Sequence, residues 1–499
     1  MAALVASVSA QNNDQDLRSI AMLTIARQPM IPRCGKAGRR YVNRLRNEGL
    51  PQPGSNVPPG SNYVISATTD QQQGITWQSE EKNICRARVG GGERAAWRAT
   101  PATRGSAQPM LNALRKARNV LEHRRTVRRE DRMLSVLYAP DPNDLDRERH
   151  LAAAMDWLKR AQDSGTDRGV AYGARFGDDF DVSYPETTGY ICRTFVEQSG
   201  LSGDSELLQR AIEMGDWEIA IQMPEGAVMG GKYTSQRTPA VFNTGMVLLG
   251  WSALIRSTGE PRFRDAARRA SDWLLSIQEP DGSWIRGHSQ FAIAGANLYN
   301  VYAASGLCEA GLALGDERYV KAAIHNAELC ASRQHANGWF PNCCIENPQQ
   351  PLLHALAYTM QGLIGIGKLT GRTDFIAAGR RAADAELRIM KEDGYLPGLQ
   401  TRTFEAAADW CCLTGSAQTS IVWSELFALT GEDCYRHCAR LVNRYLMARH
   451  DIRNPDLRMR GGLPGSWPVT GPYGRLTILN WATKYLVDAL SLEAMAQQP

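Results

Sequence analysis

The chain has 499 residues, 43% of them hydrophobic and 22% charged, with a formal net charge of +5 at pH 7. So mild a charge on so long a chain gives no reason to expect nucleic acid as a partner. No apolar run reaches the roughly 18 residues that a transmembrane helix needs, so no membrane span is predicted. The segment 1–11 lacks a basic start, and we predict no signal peptide.

The N-terminal region differs in composition from the rest. Residues 1–112 are rich in Gln, Asn, Gly, Pro, Ser and Arg, as in the stretches 51–55 and 90–92, and we predict that they are disordered. Residues 113–145 form a basic, helix-compatible lead-in. One interpretation is an arm for nucleic acid or an anionic membrane, and the other is a solvated helix that leads into the next domain. A third is that part of this region is not native coding sequence.

An internal repeat of about 56 residues dominates residues 146–499. Glycine recurs at nearly fixed intervals, followed each time by a short polar turn and a basic, alanine-rich stretch. These glycines are Gly203, Gly259, Gly315, Gly371 and Gly431. Repeats of this length indicate stacked supersecondary units, and six units fit between residue 146 and the C-terminus.

The sequence pattern of each unit predicts a helical hairpin. The segment before a glycine, such as 241–251, is apolar nearly all round, which is typical of a buried helix. The segment after it is amphipathic: Phe263, Ala266 and Trp273 share one stripe, and the arginines face away. A glycine suits the left-handed C-cap that would join the two helices. Alternating outer and inner helices, six of each, predict an all-α fold, an (α/α)6 toroid.

The connections between helices have unequal lengths. Inner-to-outer turns take a few residues, whereas outer-to-inner connections take about fifteen to twenty-five. Long connections in a compact domain are usually functional. They all lie at the N-terminal ends of the inner helices, so we expect the site in a central cavity on that face.

Four carboxylates gather where the first long connection meets an inner helix, and one of them, Glu186, follows Pro185 at the start of that helix. General acid–base catalysis needs two groups in different environments. The candidate catalytic residues are Glu186 with Asp178, Asp181 or Asp409. The alternative is that Glu186 only favours the helix dipole and the aspartates are solvated.

Equivalent positions on the other inner helices suggest a second kind of chemistry. An amide and a histidine among tyrosines suit abstraction of a proton next to a carboxylate. The residues concerned are Asn243, Asn300, His354, Asp409, Tyr299, Tyr302 and Tyr358. Buried polar groups without a catalytic role are the alternative.

Aromatic residues recur after the turn glycine of the long loops, at Trp284, Trp339, Tyr395 and Trp467. They either stack on sugar rings or pin neighbouring units together, and Arg286, His288 and Arg460 are available for anionic groups. The candidate substrate-binding residues are Tyr184, Asn243, Trp284, Arg286, Tyr299, Asn300, Tyr302, Trp339, Tyr358, Trp410 and Trp467.

Asp409 and Cys411 are spaced as in some zinc sites. The later histidines, His437 and His450, are predicted to face away from the axis, so we predict no metal and no cofactor. Eleven cysteines show no disulfide pattern and include the adjacent pairs 343–344 and 411–412. Reduced thiols and a cytoplasmic location follow.

Several short segments resemble known toroids. The stretch 278–284 resembles the repeat of terpenoid cyclases, Asp409 with Cys411 resembles protein prenyltransferase β subunits, and Trp410 with Cys411 resembles lanthionine cyclases. The resemblance implies the α/α toroid over 146–499. It does not extend to their chemistry, because the Asp-x-Asp-Asp order and the remaining zinc ligands are missing.

The segments 156–162, 184–190 and 413–418 look more like a bacterial toroid group of polysaccharide gene clusters, which implies a glycan context. Six-hairpin glycosidases, uronate lyases and glucuronyl epimerases have similar rings. We therefore expect a carbohydrate-active enzyme for an acidic poly- or oligosaccharide, either a glycoside hydrolase or a lyase or epimerase. A terpenoid cyclase or prenyltransferase type of enzyme and a non-catalytic toroid that binds a glycan or protein stay open as alternatives.

Overall fold

The computed structural model describes residues 131–234, 236–288, 297–345 and 347–495, with Ala292, Gly295 and five strands nearer the N-terminus. The chain divides into two compact units, 1–115 and 116–499. The rest of 1–112, where we predicted disorder, and the basic stretch up to residue 130 lie outside the described residues.

The five strands of the first unit were not predicted from the sequence. Two of them form an antiparallel pair, and the other three form an antiparallel sheet in chain order. They are β1 (Met22–Leu23), β2 (Ile65–Ser66), β3 (Thr76–Ser79), β4 (Ile84–Arg88) and β5 (Arg94–Arg98).

Among its described residues from 147 onward, the second unit contains twelve α-helices, which alternate between an outer and an inner layer. The outer helices are α1 (Arg147–Asp163), α3 (Ser205–Ile221), α5 (Pro261–Ser276), α7 (Glu317–Arg333), α9 (Thr373–Ile389) and α11 (Asp433–Met447). The inner helices are α2 (Pro185–Ser202), α4 (Val241–Thr258), α6 (Val301–Leu314), α8 (Leu353–Thr370), α10 (Leu413–Thr430) and α12 (Asn480–Met495).

The inner helices form a closed ring. Each contacts the next in chain order, and α12 contacts α2. Strand β6 (Gly173–Arg175), in the first long loop, pairs with β9 (Thr477–Leu479), in the last, while β7 (Cys411–Cys412) pairs with β8 (Ser466–Trp467). The predicted (α/α)6 toroid is confirmed.

Burial explains the two layers. Every residue of α4 from Val241 to Ile255 is buried, as expected for an inner helix that touches neighbours on all sides. In the outer helix α5 the buried residues lie on one stripe that includes Phe263 and Leu274, while Arg268 and Arg269 are exposed.

The repeated glycines end five inner helices. Each has a φ between 69° and 74° and lies in a turn of two residues before the next outer helix. Glycine adopts this left-handed conformation without the steric cost that a side chain brings, so the tight turns form as predicted.

Glycines also let the inner helices approach each other closely. A Cβ atom on Gly306 of α6 would lie 2.0 Å from the carbonyl oxygen of Gly245 on α4, and one on Gly250 would lie 2.2 Å from that of Gly189 on α2. Real Cβ atoms do not come so near, so these backbones are in contact only because the side chain is missing.

A repeated glutamine ties neighbouring units together. The side-chain amide of Gln278 donates to the carbonyl of Gly282 in its own loop and to that of Ala322 on the next outer helix. Gln222 and Gln334 repeat both hydrogen bonds, and all six measure 2.8 to 3.1 Å. This geometry supports the pinning interpretation of the element.

Glu386, on α9, makes the stability of the ring pH-dependent. It is fully buried, Gln400 Nε2 donates to its Oε2 at 2.7 Å, and its Oε1 has no partner. Burial raises the pKa of Glu386 from 4.5 to about 8, although the hydrogen bond from Gln400 opposes the shift. The folded state therefore binds this proton more tightly than the unfolded state.

We expect Glu386→Gln to stabilise the protein progressively as the pH rises. The wild type loses stability between pH 4.5 and 8, by about 1 kcal/mol per pH unit, because only its unfolded state releases the proton there. Urea unfolding at pH 5, 6.5 and 8 measures the difference. The exposed Glu405→Gln is the control, and an equal effect of both variants at every pH would contradict the prediction.

Within the part of the chain that the structure describes, no helix has the length and apolar character to cross a membrane. Nine cysteines have described side chains, and none of these nine forms a disulfide.

Candidate active site

A cavity of about 480 Å³ lies at the axis of the ring, on the face that carries the long loops. Its wall comes from the first turns of the inner helices and from loop residues that include Ile345, those between 347 and 352, and 472–474. Much of the wall is aromatic: Tyr172, Tyr184, Phe242, Tyr299, Tyr358 and Trp410 line it, with Tyr473 and Trp481 from the last unit.

Glu186 presents a carboxyl group to this cavity. It lies in the first turn of α2, where Pro185 begins the helix, and the Tyr184 hydroxyl donates a hydrogen bond of 2.9 Å to its Oε2. Burial raises the pKa of Glu186 to about 7, although the hydrogen bond from Tyr184 lowers it. The side chain is partly exposed through the cavity, so near neutral pH it exchanges its proton there.

His354 presents an imidazole to the same cavity from the first turn of α8. Its ring is buried, and Nδ1 lies 2.5 Å from Oε1 of Gln418 on α10. Burial lowers the pKa of His354 to about 4, although the hydrogen bond to Gln418 raises it. The imidazole is therefore neutral at pH 7.

Tyrosine hydroxyls surround the two groups. The ring of Tyr358 lies 4.2 Å from that of His354, centroid to centroid. Burial raises the pKa values of Tyr184 and Tyr358 far above the usual range and that of Tyr172 to about 12. Smaller effects come from the charge of Glu186 at Tyr184 and from that of Asp181 at Tyr172. These hydroxyls stay protonated and serve as hydrogen-bond donors.

The rest of the polar wall is uncharged. Asn347 and Gln350 supply amides, and Glu186 is the one carboxylate among the described residues that line the cavity; none of those residues is Lys or Arg. Beyond the wall, Lys232 Nζ lies 4.3 Å from the centroid of the Tyr172 ring and pairs with Asp181.

The structure brings six of the candidate residues together at the cavity and leaves the three aspartates outside its wall. The six are Tyr184, Glu186, Tyr299, His354, Tyr358 and Trp410. Asp178 is exposed and pairs with Arg175 at 3.6 Å, Asp181 is exposed and pairs with Lys232, and Asp409 is exposed. A catalytic acid–base pair made of Glu186 and one of these aspartates does not fit this arrangement.

Asn243 and Asn300 are buried away from the cavity wall. Counted back from the C-cap glycine, Phe242, not Asn243, is equivalent to Glu186 and His354. One residue turns a helix by about 100°, so Asn243 lies on another side of α4 than Phe242. Tyr302 lies one turn deeper, with its ring 5.0 Å from that of Tyr358.

The recurring tryptophans of the loops pack within the protein. Trp284 is 1% exposed and its Nε1 donates to the Leu274 carbonyl at 2.9 Å, and Trp339 packs against Phe404. Trp467 lies in β8, and Arg286 pairs with Glu279 at 3.5 Å. None of these four predicted substrate-binding residues lines the cavity.

Other residues of the wall were missed. Tyr172, Phe242 and Tyr473 line it, as does Trp481 at the start of α12. Phe242 could have been found from the sequence, because it lies as many residues before its C-cap glycine as Glu186 does. Trp481 had no such signal, because its helix is not followed by a turn glycine from which to count.

The side chains considered for zinc lie apart. Cys411 is buried beside Ser416, with 3.2 Å between Sγ and Oγ, and His450 faces His150, with 2.9 Å between their Nδ1 atoms. His437 is exposed on α11. Among the residues that the structure describes, no group of three His, Cys, Asp or Glu side chains is arranged to hold a metal ion.

Comparisons with known proteins agree with the fold. No family model and no curated protein matches the chain. Among solved structures it is similar to an unsaturated glucuronyl hydrolase specific for heparin, with a TM-score of 0.57 and 16% identity over 70% of this chain and 97% of the other.

It is also similar to the unsaturated glucuronyl hydrolase of Bacillus sp. GL1, with a TM-score of 0.55 and 15% identity over 69% of this chain and 96% of the other. Cellobiose 2-epimerase of Bacillus thermoamylovorans matches with a TM-score of 0.57 and 10% identity over 69% and 98%. At such low identity the likeness concerns the fold. The second unit is therefore a six-hairpin α/α toroid like those of glucuronyl hydrolases and a cellobiose epimerase.

Proposed function

We propose that this protein is a carbohydrate-active enzyme in which Glu186 donates a proton to a saccharide bound in the axial cavity and His354 accepts one. The observation that carries the proposal is the pair of opposite pKa shifts in one cavity: the pKa of Glu186 is raised to about 7 and that of His354 is lowered to about 4. Near pH 7 a carboxylic acid and a neutral imidazole then coexist in the cavity. Glu186 can serve as the general acid and His354 as the general base of the same reaction.

The wall of the cavity suits a saccharide. Aromatic rings such as those of Trp410 and Trp481 offer flat apolar faces for the C–H faces of sugar rings, and tyrosine hydroxyls and the amides of Asn347 and Gln350 offer hydrogen bonds. A volume of about 480 Å³ lies in the range of ligand-binding clefts.

The first reaction we propose is hydrolysis of an acidic oligosaccharide. Glu186 transfers its proton to the glycosidic oxygen while the bond from that oxygen to the anomeric carbon breaks. A water molecule attacks the anomeric carbon and gives its proton to His354 Nε2. Similarity to two unsaturated glucuronyl hydrolases supports an acidic sugar as substrate.

The second candidate is epimerase or lyase chemistry. Most glycoside hydrolases use two carboxyl groups, whereas Glu186 is the one carboxylate on the described wall. A neutral imidazole beside tyrosine hydroxyls suits removal of a carbon-bound proton. Glu186 would then give a proton, to the carbon in an epimerase or to the leaving oxygen in a lyase. Similarity to cellobiose 2-epimerase supports this candidate.

Isoprenoid chemistry is less well supported. A diphosphate substrate needs cationic side chains or metal ions around its phosphates, and none of the described wall residues is Lys or Arg. We also propose a reducing, cytoplasmic compartment, which the lack of disulfides among the nine cysteines with described side chains supports.

A panel of saccharides tests the proposal and separates the reactions. The purified protein is incubated with uronate-containing oligosaccharides, their unsaturated derivatives and cellobiose in deuterated water. Hydrolysis adds one water in the mass spectrum, a lyase produces an absorbing double bond, and an epimerase incorporates deuterium without cleavage. Binding by calorimetry without any of these products would establish the non-catalytic toroid. The absence of both binding and turnover with every saccharide of the panel would overturn the proposal.

A further inference from the structure

Gln418 is the polar contact of the His354 ring. Its Oε1 lies 2.5 Å from His354 Nδ1, and its Nε2 lies 2.9 Å from Oε1 of Gln361. His354 and Gln361 lie on α8 and Gln418 on the adjacent α10, and all three side chains are buried. We infer that Gln418 is a positioning residue that holds His354 in the tautomer protonated at Nδ1.

The hydrogen-bond directions follow from the chain of amides. Gln418 Nε2 donates to Gln361 Oε1, so the atom that Gln418 turns toward His354 is its oxygen. A carboxamide oxygen only accepts, and therefore the proton of a neutral His354 sits on Nδ1. The lone pair is left on Nε2, at the other edge of the ring that lines the cavity.

The other groups against the ring do not compete for this proton. The rings of Tyr358, Tyr473 and Tyr485 lie 4.2, 5.8 and 6.4 Å from that of His354, centroid to centroid. Burial keeps the pKa of each of these tyrosines well above the usual range. With neutral neighbours on these faces, the Gln418 amide decides which ring nitrogen carries hydrogen.

The tautomer determines whether His354 accepts or donates a proton in the cavity. This consequence rests on the proposed function. With the proton on Nδ1, His354 accepts at Nε2 while Glu186 donates. With the proton on Nε2, both groups would be donors, and the cavity would hold an acid without a base. Gln418 thereby makes the acid–base pair without touching the substrate.

Selective nitrogen-15 labelling of histidine tests the tautomer directly. Two-dimensional NMR at pH 7.5 distinguishes Nδ1–H from Nε2–H, and loss of the signals in His354→Gln assigns them. We expect Nδ1–H in the wild type. Gln418→Met should give a mixture of both forms, and Gln418→Glu should raise the pKa of His354 by at least about one unit, because a carboxylate favours the charged ring. Gln198→Met, on α2, is the matched control.

Wild-type His354 protonated at Nε2, or a tautomer unchanged in Gln418→Met, would overturn the inference. This readout needs no substrate, so it stands if the proposed reaction fails. Where turnover is measured, Gln418→Met should lower kcat about tenfold or more with little change in KM, and Gln418→Glu should shift the acidic limb of the pH profile upward. If Gln418→Met does not fold, Gln418→Glu alone decides, since an unchanged pKa of His354 would refute the contact.

Discussion

Replacing Glu186 with Gln should lower kcat about 10²- to 10⁴-fold on the saccharide that the enzyme turns over, the usual range for loss of general acid catalysis. Glutamine keeps the shape of the side chain and still accepts the hydrogen bond from Tyr184, but it has no proton to transfer. Steady-state kinetics near pH 6.5 measures the effect. In the wild type, activity should fall as the pH rises past about 7, where Glu186 loses its proton.

The matched control is Asp178→Asn, which removes an exposed carboxylate of the same loop outside the cavity wall. It should keep kcat within about twofold of the wild type. Equal losses in both variants would point to damage of the loop and not to proton transfer. A Glu186→Gln enzyme with full activity would remove this residue from the reaction.

Replacing Gly306 with Ala should destabilise the ring by about 3 kcal/mol or more, a large overpacking effect. The new methyl carbon would lie 2.0 Å from the Gly245 carbonyl oxygen, which belongs to the backbone of the neighbouring inner helix. A backbone cannot rotate away as a side chain can, so α4 and α6 would have to separate. Urea unfolding followed by circular dichroism gives the loss in free energy.

Gly200 supplies the control, because it lies in the inner helix α2 and a Cβ atom there has nothing within 4 Å. Gly200→Ala should stabilise the protein by up to about 1 kcal/mol, since alanine loses less backbone entropy on helix formation. The same small effect at both positions would show that the inner helices are not in backbone contact.

The fold was predictable because its signals are periodic. The five glycines repeat at turns whose backbone conformation glycine alone adopts easily, and the apolar inner segments alternate with amphipathic outer ones. The strands β3 to β5 had no such signal, because their segment is short and its composition resembles that of a linker.

The site was predictable only in part. Glu186 and His354 stand at equivalent positions of two inner helices, and counting back from the start of the next outer helix reached His354. That alignment was off by one residue in α4 and chose Asn243 in place of Phe242, and one residue turns a helical side chain by about 100°. The loop tryptophans were wrongly predicted to bind substrate for another reason. Trp284 and Trp339 follow the turn that connects two neighbouring units, and their rings are buried there by packing.

The pairing of β6 with β9 means that the ring has no first or last unit in space. In an open array of repeats, the end units fray and the total stability approaches a sum over neighbours. Here the loop before α2 is held by the loop before α12, and Gly461 packs against Ala153 of α1. Opening any one contact between units is therefore expected to strain the others. We expect the six hairpins to unfold as one cooperative body, in which the wall around Glu186 and His354 is lost all at once.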